Sequence, residues 1–214
     1  MIATKAMGAL VFTALFAMNA MAAEKVRVNF EAGPAHLEAG KHRTGGTIVS
    51  VIVPEKMAVV AYDNSGNALA VFSFQNSGLK TKIANVASLE VVDRFPSKAE
   101  MEALLKKSEW TYTLYHADGA KVHLKDTLVF KNNKFSLAGA QSVGESTAIK
   151  DVGLRGGDQG TPFGGSCKHP NGNEIIYELI TPTVMRSDEW DKGKKAGDVK
   201  NNPAQWLGVL QLKK

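Results

Sequence analysis

From Val26 onward, apolar and polar positions alternate with a period of two, and turn residues separate the short apolar runs. A chain whose side chains switch faces at every residue suits a half-buried antiparallel strand, so the pattern predicts strands rather than helices. Strands are expected at 25–31, 46–53, 57–62, 68–74, 87–92, 110–116, 120–125, 127–131, 134–138, 174–181 and 205–212. One helix interrupts them. Ser97 stands three residues before Glu100, the spacing of a capping box, and Met101, Leu104 and Leu105 then share a face over 97–108. The fold class that follows is mainly β, an α+β chain with little helix. It is an antiparallel sandwich- or barrel-like sheet with a hairpin meander over 110–138.

Register sharpens the meander. A three-residue loop, Ala117-Asp118-Gly119, pairs Leu114 with Val122 and Tyr112 with Leu124, which gathers Trp110, Tyr112, Leu114, Val122 and Leu124 on one face. In that register His116 and His123 lie on opposite faces. Asn132-Asn133 as a two-residue turn opposes Phe130 to Phe135 and Leu128 to Leu137, again with one apolar face. Joined at Asp126, the two hairpins predict a four-stranded meander. A further hairpin is expected around the loop Asp63 to Asn67. Within it, Ala61-Tyr62-Asp63-Asn64-Ser65-Gly66-Asn67 resembles the Ala-x-Asp-x-x-Gly-Asn stretch of bacterial immunoglobulin-like and fibronectin-like repeats, a likeness confined to residues 58–68 that implies nothing about function.

The N-terminus departs from the alternation. Lys5, the apolar run Ala6 to Met18 and the small-residue end Ala20-Met21-Ala22 read as a secretory signal peptide of Gram-negative type. The run is shorter than the roughly 17–25 residues of a spanning helix, so cleavage rather than membrane retention is expected. The organisation expected is a signal peptide over 1–22, an N-terminal β half over 23–95, and a helix plus C-terminal β half over 96–214, packed as one unit. A periplasmic or secreted location follows, with no membrane-spanning segment after cleavage.

Charge and cysteine narrow the classes. The chain has 26 Lys+Arg against 21 Asp+Glu, net +5. So mild an excess, spread along the chain, disfavours nucleic acid as a partner. A single cysteine, Cys167, allows no internal disulfide and no cysteine-based zinc site, so apolar burial must hold the fold.

Candidate chemistry gathers in Val152 to Asn173, where seven residues are Gly and two are Pro, a composition incompatible with an ordinary strand or helix. Read as a binding loop, it offers Arg155, Asp158, Gln159 and Phe163 to a ligand. Cys167 and His169, two residues apart, place a thiol and an imidazole on one side of an extended segment, a possible thiol site. Trp190, flanked by Asp188, Glu189 and Asp191, is the tryptophan with a polar neighbourhood and the candidate for a partner contact, whereas Trp110 and Trp206 fit a core. The histidines lack ligand spacing and an acidic shell, so no metal, no cofactor and no catalytic residue is expected. The reading is an exported cell-envelope binding or assembly protein without catalytic activity, meeting a protein or glycan partner. The alternatives are a periplasmic hydrolase or thiol enzyme using the 152–173 loop, or an extracellular inhibitor presenting that loop.

Overall fold

The computed structural model describes residues 24–78, 80–117, 121–139, 144–150, 161–194 and 204–214. The expected signal peptide over 1–22 and the candidate residues Arg155, Asp158 and Gln159 lie outside them. Among the described residues the chain is mostly antiparallel strand with a single α-helix, arranged as two sheets, one of them a curled half-barrel. No helix there is long and apolar enough to cross a membrane.

The first sheet comprises β1 (Val26–Phe30), β2 (Gly33–Leu37), β3 (Gly40–Ile52), β4 (Ala58–Tyr62), β5 (Ala68–Ser73) and β6 (Lys80–Val92), in the order β2-β1-β3-β6-β4-β5. Alternation decides its inner face: Val26 and Val28 are fully buried while Arg27 between them is exposed. In β4, by contrast, Ala58 to Ala61 are all buried, because the strand is covered on both sides. Val59 and Ala61 face the core of their own sheet, and Ala58 and Val60 pack with Ile180, Val184 and Val209 of the second sheet. The β4–β5 turn is held as expected around Asp63, whose Oδ1 accepts from the amides of Ser65 and Asn67 at 2.8 Å each. The edge strand β2 escaped the pattern because Pro34 opposes strand propensity everywhere except at an edge.

Ser97 starts α1 (Lys98–Lys106) through the capping box, with Glu100 Oε2 accepting from the Ser97 amide at 2.7 Å and the Ser97 hydroxyl accepting from the Glu100 amide at 3.3 Å. Met101 and Leu105 are the buried residues of its inner face. The second sheet then contains β7 (Lys107–His116), β8 (Val122–Lys131), β9 (Lys134–Leu137), β10 (Gly164–Lys168), β11 (Glu174–Thr181), β12 (Val184–Trp190) and β13 (Trp206–Leu212), in the order β10-β11-β12-β13-β7-β8-β9.

The β8–β9 hairpin has the expected register, Phe130 opposite Phe135 and Leu128 opposite Leu137. Asn132 and Asn133 supply the two positive φ angles, 51° and 59°, that a two-residue turn of this hand requires. The β7–β8 hairpin corrects the expectation. Leu114 pairs with Leu124 and Tyr112 with Asp126, and a bulge follows before Tyr115 meets Val122. The slip is by two residues, so Trp110, Tyr112, Leu114 and Leu124 keep their common face, but Val122 falls beyond the bulge and is 50% exposed. β8 also runs unbroken through Asp126, making the meander three strands rather than four.

In the second sheet two strands, β10 and β12, arise where none was expected. β10 lies inside the glycine-rich stretch, and Gly164 is needed there because a Cβ would sit 2.6 Å from the Tyr177 carbonyl oxygen of the neighbouring strand. β12 carries Arg186, Ser187, Asp188 and Glu189, all buried. Arg186 lies at the junction of the sheets: its guanidinium bonds Asp188 Oδ1 through Nη2 at 2.7 Å, approaches Glu178 Oε2 at 3.4 Å and reaches the Ser73 hydroxyl of the first sheet. Burial opposes its charge, but Asp188 and Glu178 outweigh that cost and hold it protonated.

Candidate ligand-binding cleft

The concave face of the second sheet is built from cross-strand rows. One row runs Cys167, Ile175, Glu189, Trp206, His116 across β10, β11, β12, β13 and β7. The next runs Tyr177, Ser187, Gly208, Leu114, Leu124. Most of the hollow is filled by a core of Met101, Leu105, Trp110, Phe130, Leu179, Met185 and their neighbours, with α1 packed against β7 and β8. At the end where the first row lies, the core gives way to a cleft of about 190 Å³. Its walls include Tyr112, Leu114, Leu124, Phe135, Leu137 and Ile175, and its polar rim includes His123, His169, Asn171, Asn173, Glu189 and Asp191.

Glu189 is 6% exposed, yet it has no basic partner among the described residues. Asn173 Nδ2 donates to its Oε1 at 2.8 Å. Burial raises its carboxyl above the ordinary value of 4.5, and the Asp191 charge adds to this while the Asn173 bond works against it. The Asn173 side chain is itself fixed, since its Oδ1 accepts from the Lys192 amide at 3.1 Å. Asp191 accepts from Trp206 Nε1 at 3.3 Å.

Tyr112 is 3% exposed, and its hydroxyl has only the Ser187 hydroxyl beside it, at poor hydrogen-bond geometry; the Tyr177 hydroxyl is likewise buried without a well-formed bond. Tyr112 and Ser187 are neighbours over Gly208, where a Cβ would overlap the serine hydroxyl and stand 2.7 Å from Tyr112 Cε2. Desolvation pushes the Tyr112 phenol well up, and the Glu189 charge adds to it, so the group stays protonated. A buried hydroxyl without a partner is costly, about 1–3 kcal/mol. Where such a group borders a cleft, a ligand or bound water can supply the missing bond.

An aromatic group closes the rim. His123 is the extra residue of the β7–β8 bulge, and its ring lies 4.1 Å from the Trp206 ring, with His116 4.5 Å away on the same indole. The bulge thus brings together two histidines that the unbulged register separates, a correction with a plain physical cause: one added residue re-aims the side chain. Two imidazoles do not make a metal centre, and among the described residues no group of three or more His, Cys, Asp or Glu is placed to hold one.

The candidate residues taken from the glycine-rich stretch separate here. His169 borders the cleft, its ring 5.5 Å from Phe135, and burial lowers its proton affinity so that the imidazole stays neutral. Phe163 packs partly buried against the core. Cys167 is 6% exposed, and burial pushes its thiol up to about 12, the opposite of what a thiolate nucleophile requires. Trp190 contradicts its expected role as a surface contact: it is fully buried on the opposite face of the sheet, packed with Ile176 and Ala204. Asp188 and Glu189 beside it are themselves buried and Asp191 is half-buried, so their polarity was no sign of exposure. The residues that form the cleft, Tyr112, Asn173, Glu189 and Asp191, gave no motif; the stretch Ser187 to Asp191 was their sole trace, and it reads as a solvated loop until its cross-strand partners are known.

A larger groove of about 600 Å³ runs past Lys41, Tyr62, Glu90, Thr183, Gln211 and Lys213. Two of its polar side chains are matched, with Tyr62 donating to Glu90 at 2.8 Å and Gln211 bonding both Ala68 and Gly66. No protein-family model, curated protein or solved structure matches this chain.

Proposed function

We propose that this chain is an exported, non-catalytic binding protein of the bacterial cell envelope, and that the cleft at the end of the half-barrel receives its ligand. The observation that carries the reading is the Tyr112 hydroxyl, buried without a well-formed hydrogen bond at the wall of a cleft that also presents Glu189, a carboxylate with no basic partner among the described residues. Ligand sites are typically apolar hollows with a few convergent polar groups, and this one has aliphatic and aromatic walls with polar groups at one end. Pockets for drug-sized ligands run about 300–1,000 Å³, so a cleft of about 190 Å³ takes a small molecule or the end group of a larger envelope partner, protein or glycan. The leader pattern of residues 1–22 supplies the address.

The test is a fragment library screened by nuclear magnetic resonance against the protein and against Leu124→Trp, which fills the cleft from β8. Hits are expected to move the Trp206 indole and Asn173 side-chain signals and to lose that effect in the variant. Hits that move only signals elsewhere, or that bind the filled variant equally, would remove the cleft from the proposal.

A further inference from the structure

We infer that the cleft selects an organic cation: a small molecule with an ammonium group and an apolar, preferably aromatic, body. This rests on the cleft being a binding site and names the chemistry that the site recognises.

The composition of the walls is the first reason. The chain holds 26 Lys and Arg, yet none lines this cleft among the described residues, while two carboxylates, Glu189 and Asp191, do. In a protein of net charge +5, a hollow whose described lining has two carboxylates, two histidines and no Lys or Arg departs from the sign of the whole, and it favours cationic over anionic ligands.

Unmet bonding is the second and independent reason. Asn173 occupies Glu189 Oε1, and no described group donates to Oε2. The Tyr112 hydroxyl, buried at the wall of the same cleft, has only the neighbouring Ser187 hydroxyl beside it, without a well-formed hydrogen bond. A carboxylate so deeply enclosed is costly unless a charge or donor meets it. An ammonium carries three donors and no acceptor. Glu189 Oε2 and the Asp191 carboxylate, whose Oδ1 already accepts from Trp206, are what such a group requires. A carboxylate or phosphate ligand would set like charges together instead.

The apolar walls complete the match. Leu114, Leu124, Phe135, Leu137 and Ile175 offer surface for a ring or short chain, and the Trp206 indole, with His116 and His123 packed on it, closes one edge of the cleft.

The test uses three ligands of one shape, benzylamine, benzyl alcohol and benzoate, titrated into the protein at neutral pH with two-dimensional resonance spectra as readout. Benzylamine is expected to move the Trp206 indole and the Asn173 amide with at least tenfold higher affinity than benzyl alcohol, and benzoate to leave both unmoved. Glu189→Gln, and separately Asp191→Asn in case the first variant folds poorly, should reduce benzylamine affinity about tenfold and leave benzyl alcohol unchanged. Equal binding of benzoate or benzyl alcohol at the cleft would overturn the charge preference while the binding site stands. Failure of all three to move cleft signals would overturn the inference as well, and the fragment screen then decides separately whether the cleft binds at all.

Discussion

Replacing Arg186 with Met is expected to be among the most damaging single changes in the chain. The guanidinium is 2% exposed and bridges Asp188 and Glu178 within the second sheet and Ser73 of the first. Methionine matches much of the apolar stem, so the loss of packing is small; what remains is a pair of buried carboxylates without their cation. Breaking a buried ion pair from one side costs about 3–5 kcal/mol, most of it the desolvation of the stranded charge. That is a large share of the about 5–15 kcal/mol by which a domain of ordinary stability is held. Urea denaturation of wild type and Arg186→Met at neutral pH reads the deficit. A loss below about 1 kcal/mol would refute the buried cluster as described.

Glu189→Gln should change stability with a definite pH dependence: the raised Glu189 carboxyl contributes stability that is present below 4.5 and lost as pH rises through its folded value, so the variant should gain on wild type toward neutral pH in thermal melts. Leu128→Ala, at a fully buried position, should cost about 2–5 kcal/mol while Val122→Ala, half exposed beyond the bulge, stays within about 0.5; equal shifts in denaturation midpoint would contradict the bulged register. Cys167 should react slowly with a thiol reagent in the native state and quickly in denaturant, and rapid native labelling would restore the thiol-enzyme alternative.

What was legible in the sequence is what local chemistry decides. The capping box at Ser97 and the paired asparagines at 132–133 each need a particular residue at a particular offset, and both elements formed where those residues stand. β12 was illegible for the opposite reason. Arg186 and Asp188 read as solvated until Glu178 on β11 and Ser73 on the other sheet are known to meet them, and those contacts join residues far apart in the chain. β10 was hidden likewise: Gly164 looks like a strand breaker, but the strand survives because the close approach of Tyr177 leaves no room for a side chain. The cleft inherits both difficulties. Glu189 faces it only because β12 is a strand, and His123 reaches Trp206 only because a bulge follows Leu114.

The most direct test of the account is to add the small-molecule fraction of a bacterial envelope extract to the isotope-labelled protein and follow the side-chain signals of Trp206, Asn173 and Gln211. Binding at the half-barrel cleft predicts that Trp206 and Asn173 move, that Gln211 in the larger groove does not, and that Leu124→Trp abolishes the response. Movement of Gln211 alone, or no movement at the cleft across the extract, would contradict it.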